Sequence, residues 1–272
     1  MKVYPYGVGD VVTRVHEDGT GENAVVFCHG VAARGDRWRY NIPVMAEAGY
    51  HAYSIDNPGH GFATKGPGFA YGVPGFANFI AEFVRSLGHG AVHLVGTSMG
   101  GHNVATIACR HPELVKSLTL VGATGLFKLG DDTRRAISGR IADTTREGIN
   151  GKLKSLIHHD DKIVTSEWRD EEFRVNNSPG AADAFKALAE YFRTQLDEDA
   201  VGEELSTHAD KIPILLIWGT EDLSVPLSVG KKAQEILGGP PLVEMPECAH
   251  APYLEDPETF NKAVLDFLHK QS

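Results

Sequence analysis

Apolar and polar positions along this chain follow two alternating periods. The runs at 11–15 (Val-Val-Thr-Arg-Val) and 24–28 (Ala-Val-Val-Phe-Cys) are β-rich, with an Asp18-Gly-Thr-Gly21 turn between them. The second run is apolar at every position, as a strand covered on both faces should be. Further strands are predicted at 50–56, 91–95, 117–121, 212–218 and 241–245. Elsewhere the period lengthens. Phe76, Phe79, Ile80, Phe83, Val84 and Leu87 fall on one face of a helix, and 99–109, 228–237 and 257–269 also read as helices. Such alternation of strand and helix predicts an α/β protein with a mostly parallel central sheet and helices on both faces.

From Gly125 to about Asp210 the alternation stops and no strand candidate is found. Amphipathic, charge-rich segments take over at 132–146, 151–159, 165–175 and 181–196, and Asn176-Asn-Ser-Pro-Gly180 punctuates them. A crossover helix needs only about a dozen residues or somewhat more, so this stretch is several times too long for one. The expected organisation is a core domain of residues 1–124 and 211–272, with 125–210 forming a helical lid over the C-terminal edge of the sheet.

Composition narrows the class. With 272 residues and 42% hydrophobic content the chain supports one large domain with an insertion. A net charge of −10 argues against nucleic acid or an anionic membrane as partner. Cys28, Cys109 and Cys248 are odd in number and widely spaced, which suits a reducing, cytoplasmic setting better than a disulfide framework. The N-terminal residues lack the apolar core of a signal peptide, and no apolar run approaches membrane-spanning length. A small-molecule substrate is the expected partner, and a homo-oligomer is compatible with all of this.

The candidate chemistry starts where the 91–95 strand meets the 99–109 helix. Gly96-Thr-Ser98-Met-Gly100 has the G-x-S-x-G pattern of a nucleophile elbow, in which glycines permit a turn so tight that the Ser hydroxyl stands clear of the sheet. A Ser hydroxyl needs a base to take its proton. Of the thirteen histidines, His250 alone follows the last strand on a loop at the sheet's C-terminal edge. The loop after the 212–218 strand offers Asp222, with Glu221 its weaker neighbour, to hold the imidazole's tautomer. The order Ser98, Asp222, His250 matches that expected with such an elbow. Backbone amides of Met99 and of Val31, just after His29-Gly30, are the candidate oxyanion donors. His158-His159-Asp160-Asp161 contains metal-ligand residue types, yet neighbouring side chains on a helix diverge. No metal and no cofactor is therefore expected.

His29-Gly30, Asp56-Asn-Pro-Gly-His-Gly61, the elbow, Trp218-Gly-Thr-Glu-Asp222 and the Ala249-His250 loop together resemble the α/β-hydrolase superfamily over essentially the whole chain. That resemblance implies a serine hydrolase with a helical lid inserted after the sixth strand. Within the lid, Leu156-Ile-His-His-Asp-Asp-Lys-Ile-Val-Thr165, then Phe173-Arg174-Val175 and Pro179, is similar to the lid of the meta-cleavage-product hydrolases. Those enzymes cut a C–C bond beside a ketone in dienoate acids, and the resemblance puts their substrate-gripping lid arginine on Arg174.

Two positions depart from that family: Thr97 stands before the nucleophile in place of Asn, and Ala251 follows the histidine in place of Trp. The reading is accordingly a serine hydrolase of a carboxylic ester or lactone, with C–C hydrolysis of a dienoate-type diketone as the alternative. A non-catalytic ligand receptor on the same scaffold is a third. Arg174 is either a carboxylate clamp or a solvated partner of Glu171 or Glu172, and Trp168 either contacts substrate or packs. Arg34 and Arg37, after His29-Gly30, either help bind an acid or face water.

Overall fold

The computed structural model describes residues 1–271, and the side chains of Asp160 and Asp161, half of the His158–Asp161 run, lie outside the described set. Its centre is one eight-stranded sheet of β1 (Lys2–Val8), β2 (Val11–Asp18), β3 (Ala24–Cys28), β4 (His51–Ile55), β5 (Val92–Thr97), β6 (Val115–Val121), β7 (Ile214–Gly219) and β8 (Leu242–Met245). The spatial order is β1-β2-β4-β3-β5-β6-β7-β8. Only the β1–β2 and β2–β4 pairs are antiparallel.

The predicted strands are all present, and β1 is an addition. Pro5 and Gly7 interrupt its alternation and hide it from a periodicity reading. A proline, which donates nothing to a ladder, is tolerated here because β1 is the sheet edge.

The parallel strands read as apolar runs because alternate residues enter different cores. Val26 and Leu94 pack on one face against α2 (Val73–Leu87) and α3 (Met99–Arg110). Phe27 and Val95 pack on the other with Trp38 and with α1 (Ile42–Glu47) and the closing helix of the chain, Pro257–Leu268. The chain leaves β3 for β4 on one side and returns to β5 on the other, so the strand order reverses at β3. A crevice therefore opens beyond the C-terminal ends of β3 and β5, which is where α/β sheets place their ligands.

Between β6 and β7 run α4 (Asp131–Ala142), α5 (Arg146–Leu156), α6 (Asp160–Ile163), α7 (Ser166–Asn176), α8 (Ala181–Thr194) and α9 (Gly202–Ser206). The segment expected to be one helix at 132–146 ends at Ala142, and α5 starts five residues before the predicted 151. Local hydrogen bonding is the cause. Asp143 Oδ1 accepts from Thr145 N (3.0 Å), which breaks the first helix, and Thr145 Oγ1 accepts from Gly148 N (3.1 Å), which caps the second. Ile141, Phe185, Leu188 and Phe192 attach this insertion to the core by packing on Phe76 and Met99.

After β7 come α10 (Leu227–Ile236), α11 (Pro252–Glu255) and the closing helix α12 (Pro257–Leu268). Among the described residues no helix is long and apolar enough to cross a membrane.

Candidate active site

Ser98 joins β5 to α3 with φ 53° and ψ −123°, a conformation that non-glycine residues rarely hold and that persists only where its surroundings impose it. The imposing contacts are identifiable. Ser98 N donates to Val121 O (3.0 Å), and Ser98 O accepts from His102 N (3.1 Å) and Thr124 N (3.2 Å). The flanking glycines have no room for a side chain. A Cβ at Gly96 would lie 2.3 Å from Gly100 O, and one at Gly100 would lie 2.3 Å from Cys28 O. Gly30 crosses so close that its Cβ would stand 3.0 Å from that of Ser98.

His250 and Asp222 meet across two loops. His250 Nδ1 donates to Asp222 Oδ2 at 2.7 Å, and both residues are buried. The other carboxylate oxygen, Oδ1, accepts from Ser224 N and Val225 N, each at 2.8 Å, so the acid is clamped before it orients the ring. Gly122 (φ +49°) seals this pair, since a Cβ there would come within 3.1 Å of both partners. The histidine loop is tied to the insertion: His250 N donates to Leu156 O (3.1 Å). Glu255 accepts from Ala249 N (2.8 Å) and from His158 N (2.6 Å).

Ser98 and His250 open onto one cavity of about 160 Å³ between sheet edge and insertion, and Val31 lines it too. Met99 is the first residue of α3, where backbone N–H groups lack intrahelical acceptors. The Val31 side of the site is shaped by His29, which donates from Nδ1 to Gly30 O (2.7 Å) and accepts at Nε2 from Asn57 N (2.9 Å). Burial lowers the His29 pKa and keeps the ring neutral in this role. Asp56 is likewise structural, accepting from Arg14, Gly35 N and Phe62 N beneath the site.

Two residues expected at the substrate are elsewhere. Arg174 does not reach the cavity: it is exposed and lines an outer cleft with Phe62, Lys65 and Glu171. Helix geometry is the reason. Glu172 and Asn176, one turn apart on α7, face the cavity, and Arg174, two residues from each, points about 200° away from Glu172. Trp168 also lies outside the cavity wall; its ring stacks under the Arg37 guanidinium at 4.2 Å.

Glu171 and Glu172 pair with Arg34 and Arg37 instead of Arg174. Arg34 Nη1 is 3.2 Å from Glu171 Oε1, and Arg37 Nη2 is 2.5 Å from Glu172 Oε1. Arg37 lines the cavity, and Arg34 does not.

Sequence reasoning missed Lys152, Glu172 and Tyr253, all of which line the cavity. Tyr253 stacks on Trp38 (4.1 Å) and burial pushes its pKa up to about 12, so its hydroxyl stays protonated. Its position three residues after His250 was the available signal. Lys152 and Glu172 carried none, because their relation to the cavity depends on how helices distant in sequence are set against the sheet.

Comparisons with known proteins agree with this architecture. A family model described as the alpha/beta hydrolase fold matches residues 23–156. A 2-hydroxy-6-oxononadienedioate/2-hydroxy-6-oxononatrienedioate hydrolase of Burkholderia vietnamiensis is 30% identical over 268 residues, covering 94% of this chain and 91% of that protein. A 2-hydroxy-6-oxo-6-(2'-aminophenyl)hexa-2,4-dienoic acid hydrolase of Metapseudomonas resinovorans is 29% identical over 277 residues, covering 97% and 90%. Among solved structures, a meta-cleavage product hydrolase from Pseudomonas fluorescens IP01 superposes with a TM-score of 0.88 at 24% identity, over 99% of this chain and 98% of that one. These likenesses favour the C–C alternative over the ester reading that the sequence put first.

Proposed function

The chain belongs to the α/β-hydrolase superfamily, and from that premise we propose that it is a serine C–C hydrolase of 2-hydroxy-6-oxo dienoate-type acids. The observation that carries this over ester hydrolysis is the near-full-length likeness, at 30% identity, to a hydrolase of a 2-hydroxy-6-oxo acid. A cavity with buried charged groups in its wall supports an acidic substrate.

In this mechanism His250 takes the proton of Ser98 as the hydroxyl oxygen adds to the ketone carbon. Asp222 holds the imidazole in the tautomer whose other nitrogen accepts that proton, and it stabilises the imidazolium that forms. The carbonyl oxygen becomes an oxyanion facing the amides of Met99 and Val31. Collapse of this adduct breaks the adjacent C–C bond. The substrate reacts as its 2-keto tautomer, so the electron pair passes through the conjugated C=C into the 2-oxo group. The dienolate takes the proton held by the His250 imidazolium and departs as the hydroxy acid, leaving an acyl group on Ser98. Water, deprotonated by His250, then frees that acyl group as a carboxylic acid. Residues 125–210 act as the lid that keeps bulk water from the carbanionic fragment, over a core of 1–124 and 211–272.

Ester or lactone hydrolysis by the same residues is the second reading, favoured by Thr97 and Ala251 where C–C hydrolases carry Asn and Trp. One assay separates the two. Purified protein is given a ring-cleavage dienoate, followed by loss of its visible absorbance, and in parallel p-nitrophenyl butyrate. Dominant dienoate turnover is expected, and Ser98→Ala should lower it by roughly 10⁴-fold or more while the protein still folds. Ester turnover with none on the dienoate would reverse the order, and an active Ser98→Ala protein would remove Ser98 from the chemistry.

A further inference from the structure

The charges in the cavity wall do not balance. Four Arg, Lys or Glu side chains line it: Arg37 from the core, Glu172 from α7, Lys152 from α5 and Arg140 from α4. Arg37 and Glu172 are almost fully buried, with 4% and 3% side-chain exposure, and form a 2.5 Å ion pair. Each has a polar atom left over: Arg37 Nη1 and Glu172 Oε2 are buried without a hydrogen-bond partner. Lys152 donates to a backbone carbonyl, Asp143 O (2.5 Å), and among the described residues no carboxylate lies within ion-pair distance of it. Glu172 and Asp143 are close enough to favour its charged form against the desolvation that lowers its pKa. Three cations, the buried Arg37, the half-buried Lys152 and the exposed Arg140, thus share one anion in the wall of the cavity onto which Ser98 opens. The buried Arg37 Nη1, left without an acceptor in a wall with excess positive charge, is costly unless a ligand anion completes the set.

We propose that Lys152 and the free Nη1 edge of Arg37 form the seat for the substrate's carboxylate, with Glu172 as the fixed counter-ion that orients the arginine. Trp168, stacked on the guanidinium, holds the plane of that fork. The acid end of the substrate then docks on one cation of the core and one of the insertion, so binding the acid draws the two together. The outward-facing Arg174 has no part in it. The assignment rests on reading the cavity as the hydrolase site, and it defines the substrate class of that site as a monoanionic acid head joined to an apolar body. Ile137, Ile149, Leu153, Phe192 and Val225 line the rest of the cavity and suit such a body.

The test uses pairs of substrates that differ only in the acid: a ring-cleavage dienoate and its methyl ester, and a p-nitrophenyl hemiester of a dicarboxylic acid beside the neutral p-nitrophenyl ester of matching length. The readout is the ratio of acid to neutral kcat/KM, together with binding of the acid to Ser98→Ala protein by calorimetry. Lys152→Met should cut the ratio and weaken binding roughly 10- to 100-fold, mainly through KM, and Lys152→Arg should restore most of it. Glu172→Gln, which removes the carboxylate charge from the cavity wall while keeping an acceptor for Arg37, should increase the ratio.

An unchanged ratio in Lys152→Met, or loss of acid and neutral turnover in equal proportion, would overturn the seat while leaving the hydrolase reading intact. Turnover of none of the four substrates by the wild type, with the acid still bound by Ser98→Ala in a Lys152-dependent way, would support the seat and sink the hydrolase reading. Should Lys152→Met misfold, Lys152→Gln with the same readout takes its place, under the same criteria.

Discussion

Ser98 keeps a backbone conformation that its side chain disfavours; main-chain bonds to Val121, His102 and Thr124 impose it, and the glycines packed around it make room for it. Those at 96 and 100 are excluded from carrying a Cβ by carbonyl oxygens 2.3 Å away, whereas Gly139, on α4, meets nothing within 4 Å. The two kinds of glycine should respond oppositely to alanine. Gly100→Ala should destabilise the protein by about 2 kcal/mol or more, because the clash is with main chain that has nowhere to go. Gly139→Ala should stabilise it by roughly 0.5–1 kcal/mol through reduced chain entropy and better helix propensity. Urea titration of both variants checks this; a neutral Gly100→Ala would show that the elbow is looser than its contacts imply.

At the level of elements, the insertion is fixed by short-range caps and by ion pairs that reach the core. Thr165 Oγ1 accepts from Trp168 N (3.2 Å) and starts α7, the helix that carries Glu171 and Glu172 to Arg34 and Arg37. Thr165→Ala should cost about 1 kcal/mol, felt first as local opening. Hydrogen exchange should show faster exchange in α7 while β5 and β6 keep their protection. Equal acceleration in the sheet would mean that α7 opens only with the whole domain. The break between α4 and α5 illustrates the same physics, since a polar side chain that satisfies its neighbour's backbone ends a helix that apolar periodicity alone would continue.

For the whole molecule, buried neutral histidines set the acid limit of stability. Burial pushes His60 down to about 3 and His93 and His102 down to about 4. Between the ordinary value near 6.5 and about 4, the unfolded chain takes up protons at these positions and the folded chain does not. Stability is therefore full above about pH 6.5 and is lost as pH falls through that window. Between pH 7 and pH 5 each of His93 and His102 should account for roughly 2 kcal/mol of that loss. His102→Gln keeps a donor for Asp199 O, which His102 Nε2 reaches at 2.7 Å, but does not titrate. Its unfolding free energy should drop about 2 kcal/mol less over the same interval. An identical drop would assign the acid sensitivity to other groups.

The order of the strands from β2 onward, the elbow at Ser98 and the two loops that bring Asp222 and His250 together were legible in the chain itself. Each is written in local terms: a period of two or of 3.6, glycines flanking a serine, a polar loop after an apolar run. The strand β1 escaped because Pro5 and Gly7 break its period, and only its place at the sheet edge makes them tolerable. What local pattern does not encode is the rotation of α7 about its own axis against the sheet. That rotation, fixed by packing between segments more than a hundred residues apart, turned Glu172 inward onto Arg37 and Arg174 outward.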